Sequence, residues 1–140
     1  MEMNRLGLFH FWIGVGGMCV FALTGQYMDR VLDHLVGMSD GPRMLYRSAH
    51  IYILLASMMN LIYGINFRPL RPDWLQGICS FIIALSPALM LLEFYCGAVS
   101  VDQPRWYLML GLYPLIGVAI LKVLNRFWDL ADVGGTTLTR

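Results

Sequence analysis

A chain of 140 residues sets an expectation of one domain. Hydrophobic residues make up 58% and charged residues 14%, against roughly 45–50% and about 25% in soluble domains, so there is too little charge to cover a water-facing surface. A net charge of +1, no Lys/Arg run and a single lysine, Lys122, exclude the electrostatic footprint of a nucleic-acid binder.

The first element follows Arg5. Residues 6–28 form an apolar run that ends at Asp29, and roughly 20 such residues suffice to cross the hydrocarbon core. A cleaved signal peptide has a shorter apolar core and a small-residue cleavage site, so this segment is read as retained. Met18 before Cys19 also makes a poor lipoprotein site.

The connection from Asp29 to Arg47 is the long one. Val31, Leu32, Leu35 and Val36 would share one helical face, opposite Asp33 and His34. That pattern predicts a short interfacial helix over residues 29–37. Ser39-Asp40-Gly41-Pro42 then supplies an N-cap and an early proline, so the second helix should start near Pro42.

Three more spans follow, at residues 48–67, 75–99 and 106–124, each bounded by charge. Short connections holding Pro69, Pro72 and Pro104 predict antiparallel neighbours. The expected fold is all-α: an integral membrane four-helix bundle, up-down-up-down, as a single domain of 1–140. Trp12, Trp74, Trp106 and Trp128 fall near span ends, as interfacial aromatics should.

Four spans place both termini on one side. That side carries Arg5, Arg68, Arg71, Lys122, Arg126 and Arg140; the other carries Arg30, Arg43, Arg47 and Arg105. The positive-inside rule then predicts both ends in the cytoplasm, and the compact chain reads as a bacterial inner-membrane protein. Cys19, Cys79 and Cys96 lie in apolar runs without C-x-x-C spacing and read as packing residues.

Polar and small residues inside spans should face other helices. They recur near every seventh position: His10, Gly14, Gly17 and Thr24; His50, Ser57 and Gly64 with Asn60; Cys79, Ser86 and Glu93 with Gly97; Gly111 and Pro114 with Gly117. Pro87 and Pro114 should free backbone carbonyls that find local partners.

A rise of about 1.5 Å per residue places these groups by depth. His10 and Asn60 form an inner polar layer. His50 and Glu93 form an outer one, which Gln26, Tyr27, Tyr46, Arg47 and Tyr95 can join. Glu93 is the one acid well inside an apolar run, so it needs a partner or a proton. The expected partners are Arg47, His50 or a tyrosine hydroxyl. Glu93, His50, Arg47 and Tyr46 are therefore the candidate ligand- or ion-binding residues, against the plainer reading of an interhelical tie and an interfacial anchor.

No H-E-x-x-H, phosphate loop or G-x-S-x-G is present, and no catalytic residue is assigned. The leading expectation is a non-catalytic accessory subunit or self-assembling membrane component, with the lipid bilayer and other membrane subunits as partners. The first alternative is a small proton- or ion-coupled transporter or channel at Glu93, His50 and Arg47. The second is a redox subunit holding haem b or quinone. His10 and His50 would lie roughly 20 Å apart along the axis, so one iron cannot take both. Haem b would need His plus Met, or a partner chain. No metal ligand set is assigned.

Overall fold

The computed structural model describes residues 4–67, 70, 72–97 and 104–136, with side chains as far as 127. Four helices account for most of it: α1 (Arg5–Arg30), α2 (Asp40–Ile65), α3 (Asp73–Cys96) and α4 (Trp106–Thr136). All four are long and apolar enough to cross a membrane, α4 over Trp106–Phe127.

The buried positions alternate three and four residues apart. On α1 they are Gly7, His10, Gly14, Gly17 and Thr24. On α3 they run Gln76, Cys79, Ser80, Ile83, Ser86, Pro87, Met90, Glu93 and Phe94. This average of 3.5 keeps one seam facing a neighbour at a shallow crossing angle. The opposite faces expose Trp12, Leu23, Ile51 and Ile120, as lipid-facing surfaces would.

Successive helices run antiparallel. Gly7 lies against Gly64 and Gly17 against Ser57, while Thr24 bonds His50. On the far side of the molecule, Gln76 meets Lys122 and Glu93 meets Leu108. The α1–α2 contact is the closest. A Cβ on Gly14 would lie 2.6 Å from Leu61 Cγ, and one on Gly64 would lie 2.6 Å from the Phe11 nitrogen. Only glycine lets these backbones approach so far, which maximises dispersion contact where no hydrophobic force acts between helices.

The arrangement is an open row. α1 packs on α2, α2 on α3 and α3 on α4; the α1–α3 and α2–α4 contacts are marginal, and α1 and α4 share no substantial contact among the described residues. The inner pair α2 and α3 is correspondingly better buried than α1 and α4.

The interfacial helix expected over 29–37 is replaced by something tighter. α1 runs on to Arg30, and a 3-10 turn covers Asp33–Leu35. Asp33, His34 and Leu35 have φ of 46°, 54° and 64°, and Gly37 has 76°. This left-handed turn swings Leu35 into the core while Val31 and Val36 stay exposed. The four apolar side chains therefore never share a face. The helical periodicity was correct for an isolated segment, but reversing the chain between two close-packed helices requires a sharper bend.

Candidate functional site

Two polar clusters lie at opposite ends of the helices. Near the termini, His10 on α1 is fully buried. Its Nδ1 lies 2.9 Å from Asn60 Oδ1 on α2, and its Nε2 lies 2.6 Å from Ser80 Oγ on α3. Three helices therefore meet at one imidazole.

The hydrogen positions follow from Asn60. Its Nδ2 points at two carbonyls, Ala56 O at 3.0 Å and Ile83 O at 2.7 Å. Carbonyls only accept, so the amide nitrogen is fixed on that side and Oδ1 faces the ring. His10 Nδ1–H then donates to Asn60, and in the neutral ring Nε2 accepts the Ser80 hydroxyl hydrogen.

The Ile83 carbonyl is itself explained by sequence. Pro87, four residues on, has no N–H to give it. Asn60 Nδ2 and Ser86 Oγ, at 2.9 Å, supply donors instead.

The cluster continues toward α4. His10 meets the Tyr63 ring edge-on at 4.5 Å between centroids. Tyr63 Oη accepts from Gln76 Nε2, and Gln76 Oε1 accepts from Leu70 N at 2.9 Å and from Lys122 Nζ at 3.1 Å. Lys122 also sits over the Tyr63 ring, 4.5 Å from its centroid.

At the other end, Glu93 is 1% exposed and paired with Arg105, Nε to Oε1 at 2.6 Å. The Leu108 amide donates to its second oxygen at 3.3 Å, and Arg105 Nη2 reaches Ser48 Oγ at 3.3 Å. The carboxylate is thus held by Arg105, just before α4, and by Leu108 in its first turn, not by the expected Arg47, His50 or a tyrosine. Depth along the axis was a sound guide, but it says nothing about which helix stands on which side of α3.

His50 bonds elsewhere. Thr24 donates its hydrogen to Phe21 O, so it accepts from His50 Nδ1 at 2.9 Å. The His50 ring stacks on Phe21 at 4.1 Å. Tyr46 packs edge-on against Phe94, and Arg47 lines a separate recess with Gly25, Asp29 and His34. The four outer candidates therefore fall into four local arrangements, whereas the inner pair, His10 and Asn60, is brought into direct contact.

Sequence reasoning passed over Ser80, Gln76, Tyr63 and Arg105. The signal was present for two of them: the seam through Cys79, Ser86 and Glu93 extends one turn back to Gln76 and includes Ser80. Of the other seam positions, Gly111 is buried and Gly117 is exposed. Cys79 is buried, while Cys19 and Cys96 are exposed.

Two cavities adjoin these clusters. One of about 590 Å³ lies between α1 and α3, with Gln76 and Ser80 among its lining residues. Another of about 320 Å³ is lined by Glu93, Arg105, Trp106 and Tyr107. Among the described residues, no three His, Cys, Asp or Glu side chains gather where they could hold a metal ion.

The order hydroxyl, imidazole, amide in Ser80–His10–Asn60 is that of a base-activated nucleophile. Ser80 nevertheless sits inside a continuous helix, where neighbouring amides are already committed to helical carbonyls and cannot serve an oxyanion. Both His10 nitrogens are also committed, so haem ligation there would break one of these bonds. Comparison with protein-family models, curated proteins and solved structures gives no match to this chain.

Proposed function

We propose that this chain is a non-catalytic integral membrane component that acts by assembly, as an accessory subunit or with further copies of itself. One observation carries the reading: the row is open, so among the described residues α1 and α4 each keep a broad apolar face that no other helix covers. Gly16 on α1 and Gly117 on α4 lie on those faces with open space around their Cβ positions, and small residues let a neighbouring helix approach closely. The buried polar groups support the same reading, since His10, Asn60, Ser80 and Glu93 all bond across helices within the chain.

In this reading the protein sits in a bacterial inner membrane with both ends in the cytoplasm. The support is the excess of positive residues on that side, six against four.

Single-molecule photobleaching of the labelled protein in bilayers tests the assembly. Multiple copies per spot, or co-purification of a defined membrane partner, is the expected result. A strict monomer that retains no partner in a mild detergent would remove the reading.

The transporter reading retains one specific support: Glu93 and Arg105 border the 320 Å³ cavity. Its test is proton or cation flux in proteoliposomes, which Glu93→Gln should abolish while the protein stays folded.

A further inference from the structure

We infer that the groove between α1 and α3 is a binding site for a neutral lipid with a free hydroxyl head. The groove, about 590 Å³, is walled by Leu6, Phe9 and Ile13 on one side and by Gly77, Phe81 and Leu85 on the other. That volume is in the range of small-molecule sites. Its α3 wall runs from Asp73 to Leu85, about 18 Å along the helix. An amphiphile lying along α3 would place its chain against the apolar part and its head near Ser80.

The other polar side chain near it in the groove, Gln76, is turned to Tyr63, Leu70 and Lys122, so Ser80 determines the head. It is 6% exposed and lines the groove. Its hydrogen is directed to His10 Nε2, because Asn60 fixes the ring with Nδ1 as the donor. The Ser80 oxygen therefore offers the groove lone pairs only, and among the described residues nothing else bonds it. A ligand must bring a donor to it. A carbonyl or ether head would oppose lone pair to lone pair. An anionic head would share the groove with the Asp73 carboxylate, seven residues or about 10 Å along α3 from Ser80 and without an ion pair among the described residues. A hydroxyl satisfies Ser80 without bringing charge into the membrane. The inference is independent of any assembly through α1 or α4.

Photo-crosslinking of the full chain in nanodiscs tests it, with a dioleoylglycerol carrying a diazirine in one acyl chain. Labelling should map to α1 and α3 around Phe9 and Phe81. Unlabelled 1,2-dioleoylglycerol or farnesol should compete, and the better competitor identifies a diacylglycerol or an isoprenoid tail. The O-methyl ether of dioleoylglycerol should compete about tenfold more weakly, the scale of one hydrogen bond.

Ser80→Ala should reduce labelling to a similar extent, and Ser80→Thr should restore it. Because Ser80→Ala also leaves His10 without its donor, Gly77→Leu provides a second variant. A Cβ at Gly77 meets nothing within 4 Å, so this variant should stay folded while filling the groove and removing the label. Equal competition by alcohol and ether would mean bulk lipid in an unselective groove and would overturn the inference. So would full labelling of a folded Gly77→Leu protein.

Discussion

Asn60 on α2 donates a 2.7 Å hydrogen bond to the Ile83 carbonyl on α3, the acceptor that Pro87 deprives of its helical donor. The same amide donates to Ala56 O and orients His10 through its oxygen. One side chain thereby repairs a helix defect on its neighbour and positions an imidazole on a third helix. In hydrocarbon an unsatisfied carbonyl has no water to turn to, which makes the repair worth more than its bond count suggests.

The repair can be measured as a coupling. Asn60→Ala should destabilise the protein by about 1–3 kcal/mol, since it orphans buried groups. In a Pro87→Ala background the Ile83 carbonyl regains a helical donor. The cost of Asn60→Ala should then fall by about 1 kcal/mol. Unfolding of the four variants by SDS titration gives the cycle, and identical costs in both backgrounds would show that Asn60 does not serve the proline break.

Arg105, not Arg47 or His50, should control the state of Glu93. Arg105→Ala leaves a buried carboxylate with only the Leu108 amide. It should cost about 2–3 kcal/mol, below the ~3–5 of a fully buried pair because Arg105 is partly exposed. Glu93→Gln should cost about 1 kcal/mol, since the amide oxygen can still accept from Arg105. Replacing both residues, Glu93→Leu with Arg105→Met, should be milder than Arg105→Ala alone. Thermal melts in detergent check the order, and a larger effect from Arg47→Ala would reverse the assignment.

Adjacent glycines on α1 should behave in opposite ways. Gly17 faces Ser57, and a Cβ there would collide with its Oγ; a Cβ at Gly16 meets nothing within 4 Å. Gly17→Leu should therefore lose about 1–3 kcal/mol through overpacking, with Gly16→Leu close to neutral for folding. Comparable melting temperatures for the two variants would contradict the α1–α2 packing.

The turn after α1 and the start of α3 should lie on opposite sides of the bilayer. Single cysteines at Ser39 and Asp73, in a background with Cys19, Cys79 and Cys96 replaced, test this by labelling with an impermeant maleimide. One site should react in sealed vesicles and the other only after lysis. Reaction of both from the same side would exclude four spans.

The sequence by itself determined the four helices and many of the polar and small residues of their seam. Composition and run length suffice for the spans, because the bilayer sets one length for every crossing. The seam was legible too: His10, Gly14, Gly17, Thr24, Ser57, Asn60, Ser86 and Glu93 were placed inward by spacing alone, and all are buried. A polar or small residue in an apolar run has few other places to go. Tertiary structure alone decided the partners. Depth along an axis assigns His50 and Glu93 to one layer, yet Thr24 takes the first and Arg105 the second. The choice depends on which helix flanks which, and in an open row α3 shows one side to α2 and another to α4. The left-handed turn at Asp33 to Leu35 was decided in the same way. Its residues favour a helix locally, but the close approach of α1 and α2 leaves room only for a sharp reversal. Ser80 turns its hydroxyl hydrogen to His10 because Asn60, twenty residues away, fixes the proton on that ring.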